Sequence, residues 1–292
     1  MKRGLLAFAI ACLLAAVGWL ARGTREQARC GAGFVAVAAR CCVTPRSSGG
    51  VCAASALPTG CPAPLIQSTR DPTECEAPDE RVLIAATSLV VGPSDWEAEG
   101  RVAPRTVETA AFYIDRFEAT IGAVARSKSV ELGRFAASIA EHDTARAAHG
   151  LTLTEASRYC AERGGRLPTV DEWVVAASGS RATRYPWGDT GAVCRRAAYG
   201  LEAGPCASHA EGPDTVGAHH DGATANGIED MAGNVAEWVR PTDASHQLFV
   251  ALGGSWRSAL ATELRTWSRL ELASGEVHDD RVGARCVYLH DR

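Results

Sequence analysis

The sequence has no Cys-x-x-Cys pair, although 11 of its 292 residues are cysteine. That absence argues against a zinc finger or ribbon, whose tetrahedral site draws on closely spaced thiolates. There is no Gly-x-Ser-x-Gly elbow, no P-loop and no His-Glu-x-x-His segment. The usual signatures of a serine hydrolase, a nucleotide-binding enzyme and a zinc protease are therefore missing. Charge of one sign is lacking too: 30 Lys and Arg stand against 34 Asp and Glu, a net −4. A nucleic-acid partner would call for a basic stripe or patch, and none is expected. Internal repeats and long low-complexity tracts are also absent. The 46% hydrophobic residues are enough for a packed core.

Lys2 and Arg3 precede an apolar run from Leu5 to Leu20, which Arg22 ends. A positive segment before such a run reads as a secretion signal or a single membrane anchor. At about 1.5 Å per residue, Gly4 to Ala21 just crosses a hydrocarbon core. Cys12 follows Ala9-Ile10-Ala11, but a lipoprotein box would place Leu three residues earlier, so a cleaved signal or retained anchor is preferred over lipidation. Residues 1–25 are assigned to this segment, and the expected location is the bacterial periplasm or cell envelope. Setting Cys12 aside leaves 11 − 1 = 10 cysteines. An even number in an exported chain implies disulfides in an oxidising compartment, with no free thiol beyond Cys12.

Cys30, Cys41, Cys42, Cys52, Cys61 and Cys75 crowd into a Gly-, Pro-, Ser- and Ala-rich stretch, residues 26–79. So short a segment with few large apolar residues needs bridges to fold. Six cysteines allow fifteen pairings, and the sequence does not choose among them. Two readings stand: a binding knot, or a stapled spacer that holds the next domain off the membrane.

From residue 80 to 292 the texture is that of a larger domain. Val82-Leu83-Ile84, Ser88–Gly92 and Ala111–Glu118 read as short strands. Residues 122–149 are helical or looped. Thr152-Leu153-Thr154-Glu155 and Thr169-Val170-Asp171-Glu172 are capping boxes that open two helices. Gly164-Gly165 closes the first, where glycine takes a left-handed turn cheaply. Beyond them lie Gly- and Trp-rich loops. Trp173, Trp187, Trp238 and Trp256 are expected in the core. Few regular elements among many aromatics predict an irregular α+β domain that relies on disulfides or ions for rigidity.

Seven landmarks occur in order: Phe112–Thr120, Ala156–Cys160, Gly165–Thr169 with Glu172-Trp173, Pro186–Asp189, Asp230–Trp238, Gly253–Trp256 and Val282–Cys286. On these, residues 81 to 289 resemble the formylglycine-generating enzyme, or sulfatase-modifying factor, family. The resemblance implies a C-type-lectin-like variant fold with little regular structure. Active members convert a sulfatase cysteine to formylglycine with two cysteines that bind copper(I). The matching positions here are Ser258 and Glu263, and no cysteine occurs between Cys206 and Cys286. Copper(I) prefers sulfur, so copper is not expected. Ser255 matches a family serine and would line the remnant cleft, or serve only as a turn residue.

The resemblance also implies bridges Cys160–Cys286 and Cys194–Cys206. It implies a calcium site built from Asp230, Glu237 and the carbonyls of Gly233 and Val235, hard oxygen donors of the kind calcium takes. The alternative is that Asp230 and Glu237 merely cap and hydrogen-bond their loop. A second family calcium site uses an Asn where this chain has Ala198, which puts that site in question. His219-His220-Asp221 offers transition-metal donors, but neighbouring loop side chains rarely converge on one ion, so a solvated loop is favoured.

The leading expectation is a non-catalytic binding or accessory protein whose cleft recognises an extracytoplasmic protein or small molecule. A second is altered enzymatic activity from Ser255, Arg257, Ser258 and Glu263, with no histidine near in sequence to activate a nucleophile. A third is an architectural envelope component, which an exposed apolar patch would favour.

Overall fold

The computed structural model describes residues 30, 34–37, 40–42, 47–48, 51–52, 61–70, 74–92, 103–140, 143–240 and 249–290. The apolar run, Cys12 and any anchor lie outside the described residues, as do the side chains of Cys41, Cys42 and Cys52.

The Cys-rich stretch forms three antiparallel pairs: β1 (Val35–Val37) with β2 (Arg40–Cys42), β3 (Ser47–Ser48) with β4 (Val51–Cys52), and β5 (Ile66–Gln67) with β6 (Cys75–Glu76). Cys61 and Cys75 are bridged, and Cys30 is in a disulfide. Where it is described, this stretch is no detached stalk. Phe34, Leu65 and Cys75 share a buried cluster with Phe117, Ala145, Ala147, Val216 and Val235 of the larger domain. Thr144 Oγ1 donates to Glu74 at 3.1 Å, and Gly217 (φ +72°) passes so close that a Cβ there would sit 2.8 Å from Pro64.

Two small sheets frame the larger domain. In one, β10 (Phe112–Asp115) lies between β7 (Arg81–Ile84) and the last strand, β15 (Val287–Leu289), antiparallel to both. In the other the order is β13 (Arg269–Leu272), β12 (Phe249–Leu252), β11 (Ala236–Trp238), β14 (Val282–Gly283), with β11 and β14 parallel. A separate ribbon pairs β8 (Thr87–Val91) with β9 (Arg105–Thr109). Residues 122–149 prove partly helical: α1 (Ile121–Ala125), a 3-10 turn at Leu132–Phe135, and α2 (Ala136–Ala140). Much of the rest is loop, the α+β arrangement with little regular structure that the sequence predicts.

Both capping boxes are formed. Thr152 Oγ1 accepts from Glu155 N–H at 3.1 Å while Glu155 accepts from Thr152 N–H at 2.9 Å, opening α3 (Leu153–Glu162). Thr169 and Glu172 do the same for α4 (Val170–Ser178). An arginine reinforces each carboxylate: Arg134 donates to both oxygens of Glu155 at 2.8 and 2.9 Å, and Arg166 to both of Glu172 at 2.6 and 2.7 Å. Burial pushes the Glu155 carboxyl up, but the Arg134 bonds and the Thr152 N–H outweigh it and hold it below the ordinary range. A lowered carboxyl lends stability above its unfolded value that is lost as pH falls through the folded one. Thr152→Ala is therefore expected to cost about 1 kcal/mol at neutral pH. Urea denaturation checks this, and a midpoint unchanged from the parent refutes it.

Gly164, at φ +74°, supplies the left-handed turn after α3. Gly165 is needed for a different reason: a Cβ there would lie 2.6 Å from the Tyr288 ring and 2.7 Å from the Val287 carbonyl. Trp173, Trp238 and Trp256 are buried as expected. Trp187 departs from the expectation, being only partly buried and stacked on Tyr185 at 5.1 Å. Cys160 joins Cys286 across 126 residues, tying α3 to the start of β15, and Cys194 joins Cys206 across a loop.

Candidate functional site

Two regions hold the residues singled out from the sequence. The first is the loop from Asp230 to Glu237, whose turns rest on left-handed backbone at Asp230 (φ +56°), Gly233 (φ +81°) and Asn234 (φ +53°). Gly233 is obligatory because a Cβ would meet the Ala198 carbonyl at 2.5 Å. Asn234 N–H donates to that same carbonyl at 2.8 Å, so Ala198 serves the loop through its main chain. Asp230 accepts from Gly217 N–H at 2.6 Å.

Glu118 grips the loop from β10's end: Asn234 Nδ2 donates to one oxygen at 2.6 Å and Val235 N–H to the other at 3.1 Å. Sequence reading passed over Glu118 as the end of a strand. The available signal was an acid set among Phe117, Ala119 and Ile121, since an acid amid apolar neighbours must find partners.

Glu237 is buried and engaged through both oxygens. Arg285 Nε and Nη2 reach Oε1 at 2.9 and 2.7 Å, and Trp173 Nε1 reaches Oε2 at 2.7 Å. Arg285 itself is fully buried. Its other donations go to the carbonyls of Asp115 (3.1 Å), Arg116 (2.7 Å) and Glu229 (2.8 Å). With those, all five guanidinium N–H groups are satisfied. Burial pushes the Glu118 carboxyl well up, and Asp230 and Glu237 push it further. The cluster is thus rich in acid, with three buried carboxylates around one guanidinium.

That excess bears on the calcium expectation. Asp230 and the loop carbonyls are donors of the hard kind calcium takes, and surplus negative charge favours a cation. Glu237 already serves Arg285 and Trp173, so it would join a cation only by sharing an oxygen. Among the described residues, no three His, Cys, Asp or Glu side chains are grouped to hold a metal by themselves. The neighbouring His219-His220-Asp221 run diverges. His219 pairs with Asp214 (2.8 Å), His220 with Glu229 (2.7 Å) and Asp221 with Arg195 (3.4 Å).

The second region is the remnant cleft. Ser255, Arg257, Ser258 and Glu263 do come together, lining a cavity of about 340 Å³ with Glu202 and Arg269. Gly253 (φ +98°) and Gly254 (φ +70°) turn the chain into it. Ser258 Oγ accepts from Ser255 N–H at 3.0 Å, and Ser255 Oγ accepts from Arg257 N–H at 3.3 Å. Glu263 accepts from Leu260 N–H at 2.8 Å. Arg257 lies over Trp256 and pairs with Glu202 (3.2 Å) and Asp280 (2.9 Å). Among the described residues no histidine lines this cavity: His219 is held by Asp214, and His278 Nδ1 meets the Gly150 carbonyl at 2.8 Å. Arg269 and Arg281, which also line it, carry no motif in the sequence and were missed. A larger hollow of about 680 Å³ lies elsewhere, between the β7–β8 turn, the end of α4 and Trp187.

Residues 67–289 match the family model described as a sulfatase-modifying factor enzyme 1-like domain. Hercynine oxygenase of Mycolicibacterium thermoresistibile is 41% identical over 93 residues, 30% of this chain and 19% of that protein. Inactive C-alpha-formylglycine-generating enzyme 2 of Mus musculus is 30% identical over 151 residues, 47% of either chain. The chain thus spans from about a fifth to about half the length of these curated relatives. Among solved structures, Treponema denticola variable protein 1 superposes with a TM-score of 0.58 at 21% identity, over 71% of this chain and 94% of that one. PvdO from Pseudomonas aeruginosa gives 0.56 at 20% identity, over 73% and 94%. At such identities the likeness is one of fold, the C-type-lectin-like class implied by the seven landmarks.

Proposed function

Because the chain belongs to the sulfatase-modifying factor enzyme 1-like family, we propose that it is an exported, non-catalytic member that uses the remnant cleft to bind a protein or small molecule. One chemical observation carries this reading. The cleft presents hydroxyls, carboxylates and guanidiniums, while all four cysteines beyond residue 80 are tied in two disulfides. Copper(I) chemistry needs soft sulfur donors, and Ser258 and Glu263 supply oxygen. The mouse relative that is itself called inactive supports the reading. The altered-enzyme alternative has a relative named for an activity, hercynine oxygenase, but among the described residues no imidazole bonds Ser258 to draw off its proton.

Turnover of a sulfatase-derived cysteine peptide by the full chain, with copper and oxygen supplied, is the direct test. No formylglycine is expected by mass spectrometry; its appearance would end the proposal. Export is supported by the N-terminal apolar run and by the disulfides, with membrane attachment if that run is retained. A thiol count on the exported protein should find none beyond Cys12.

Calcium at Asp230, Gly233, Val235 and Glu237 belongs to the same reading, and the surplus of buried carboxylates favours it. When bound, the cation would supply charge neutralisation and a rigid loop. Calcium added to chelator-treated protein is expected to raise the Tm, with magnesium doing less. A Tm indifferent to calcium would remove the ion and leave Arg285 as the guanidinium that offsets the cluster, with His219 beside Asp230.

A further inference from the structure

The geometry points to a carboxylate, a single negative charge on a small ligand or a peptide C-terminus, as what the remnant cleft binds, Arg269 being its anchor. This rests on the binding role proposed above and gives it a ligand chemistry.

Three guanidiniums line the cavity, but two are already spent. Arg257 pairs with Glu202 and Asp280, and Arg281 meets both oxygens of Asp279, at 2.9 and 2.6 Å. Arg269, exposed at the start of the edge strand β13, pairs with no carboxylate among the described residues. A planar guanidinium with free N–H groups matches the two oxygens of a carboxylate.

The cavity floor adds donors. Ser255 and Ser258 are buried, and both hydroxyl oxygens accept from backbone N–H groups. A hydroxyl that accepts still has its own proton to give. Neither proton meets an acceptor in the hydrogen bonds of the described residues. Two hydroxyl donors and one unspent guanidinium therefore face a space of about 340 Å³, near the lower end for small-molecule sites.

The surrounding acids set the charge the cleft accepts. Glu202 and Glu263 line it, and Asp279 and Asp280 stand behind its other arginines. A phosphate or sulfate dianion would meet these four carboxylates with a single spare guanidinium to offset them. Three guanidiniums against four carboxylates leave the cleft one negative charge in excess, so an anion depends on direct contact with Arg269, and a monoanion is disfavoured least.

The test titrates N-acetylalanine, acetyl-trialanine and their carboxamides into the full exported chain, followed by the amide NMR signals of Ser255, Ser258 and Arg269. Both free acids are expected to move these signals, with the carboxamides binding at least about tenfold more weakly. Arg269→Gln should lose about the same factor at unchanged Tm, and Arg269→Lys should recover part of it. Equal affinity for the two acids assigns a small carboxylate; tighter binding of the trialanine assigns a chain terminus. Carboxamides that bind as well as the acids, an R269Q variant that binds like the parent, tighter binding of inorganic phosphate, or silence with every probe would each overturn the proposal. Silence here together with no peptide turnover leaves the non-catalytic reading intact, whereas turnover would end that reading and leave this titration interpretable.

Discussion

Arg285→Met is expected to remove about 3–5 kcal/mol of stability at neutral pH, the range for breaking a buried ion pair by deleting one partner. Methionine fills similar volume, so the loss is electrostatic. Glu237 forfeits both guanidinium bonds, three backbone carbonyls lose their donor, and Glu118, Asp230 and Glu237 lose the counter-ion they share. The deficit should also depend on pH in a definite direction. Without Arg285, Glu118 loses the guanidinium that holds its carboxyl down against burial, so its folded value, already above the unfolded one, rises further. Such a group gives stability that is present in full below the unfolded value and lost as pH climbs through the folded one. Burial already pushes Glu118 that way in the parent protein. Urea denaturation should accordingly show a smaller gap between variant and parent at about pH 5 than at about pH 8. A gap under about 1 kcal/mol at both would mean that the cluster relaxes to admit water.

Loss of the Cys160–Cys286 bridge is the other large effect. The bond spans 126 residues, and in the chain-entropy relation closing a loop of that order restricts the unfolded chain by roughly 5 kcal/mol. Both half-cystines are fully buried, so Cys160→Ala with Cys286→Ala also leaves a small void beside Tyr159 and Trp238. The double variant should lose about 3–5 kcal/mol in urea denaturation. The corresponding pair at Cys194 and Cys206, which spans only 12 residues, should cost less. If the two variants proved equal, chain entropy would not be the main source of the stabilisation.

Legibility from sequence followed the range of the interactions. The capping boxes were readable because each satisfies backbone donors within four residues, and the glycine pair after α3 marked its stop. Gly165, however, owes its identity to Tyr288, more than a hundred residues away, and no local pattern carries that information. The cleft residues Ser255, Ser258 and Glu263 were found because family landmarks bracket them. Arg269 was not, since an isolated arginine on an exposed strand looks like any solvated charge until its neighbours' pairings are known. Glu118 lies in a stretch read as a strand and Arg285 in a landmark given no role of its own, and their joint hold on the loop from Asp230 to Glu237 depends on contacts across 116 and 48 residues.

The position of β15 has a consequence for biogenesis. β10, placed early in the domain, obtains one of its two flanking strands only from residues 287–289. A chain emerging from the ribosome therefore cannot complete this sheet until residues 287–289 are free. Such long-range pairing slows folding. A chain that stops before Val287 would leave Phe112 and Ile114 without one of their two flanking strands.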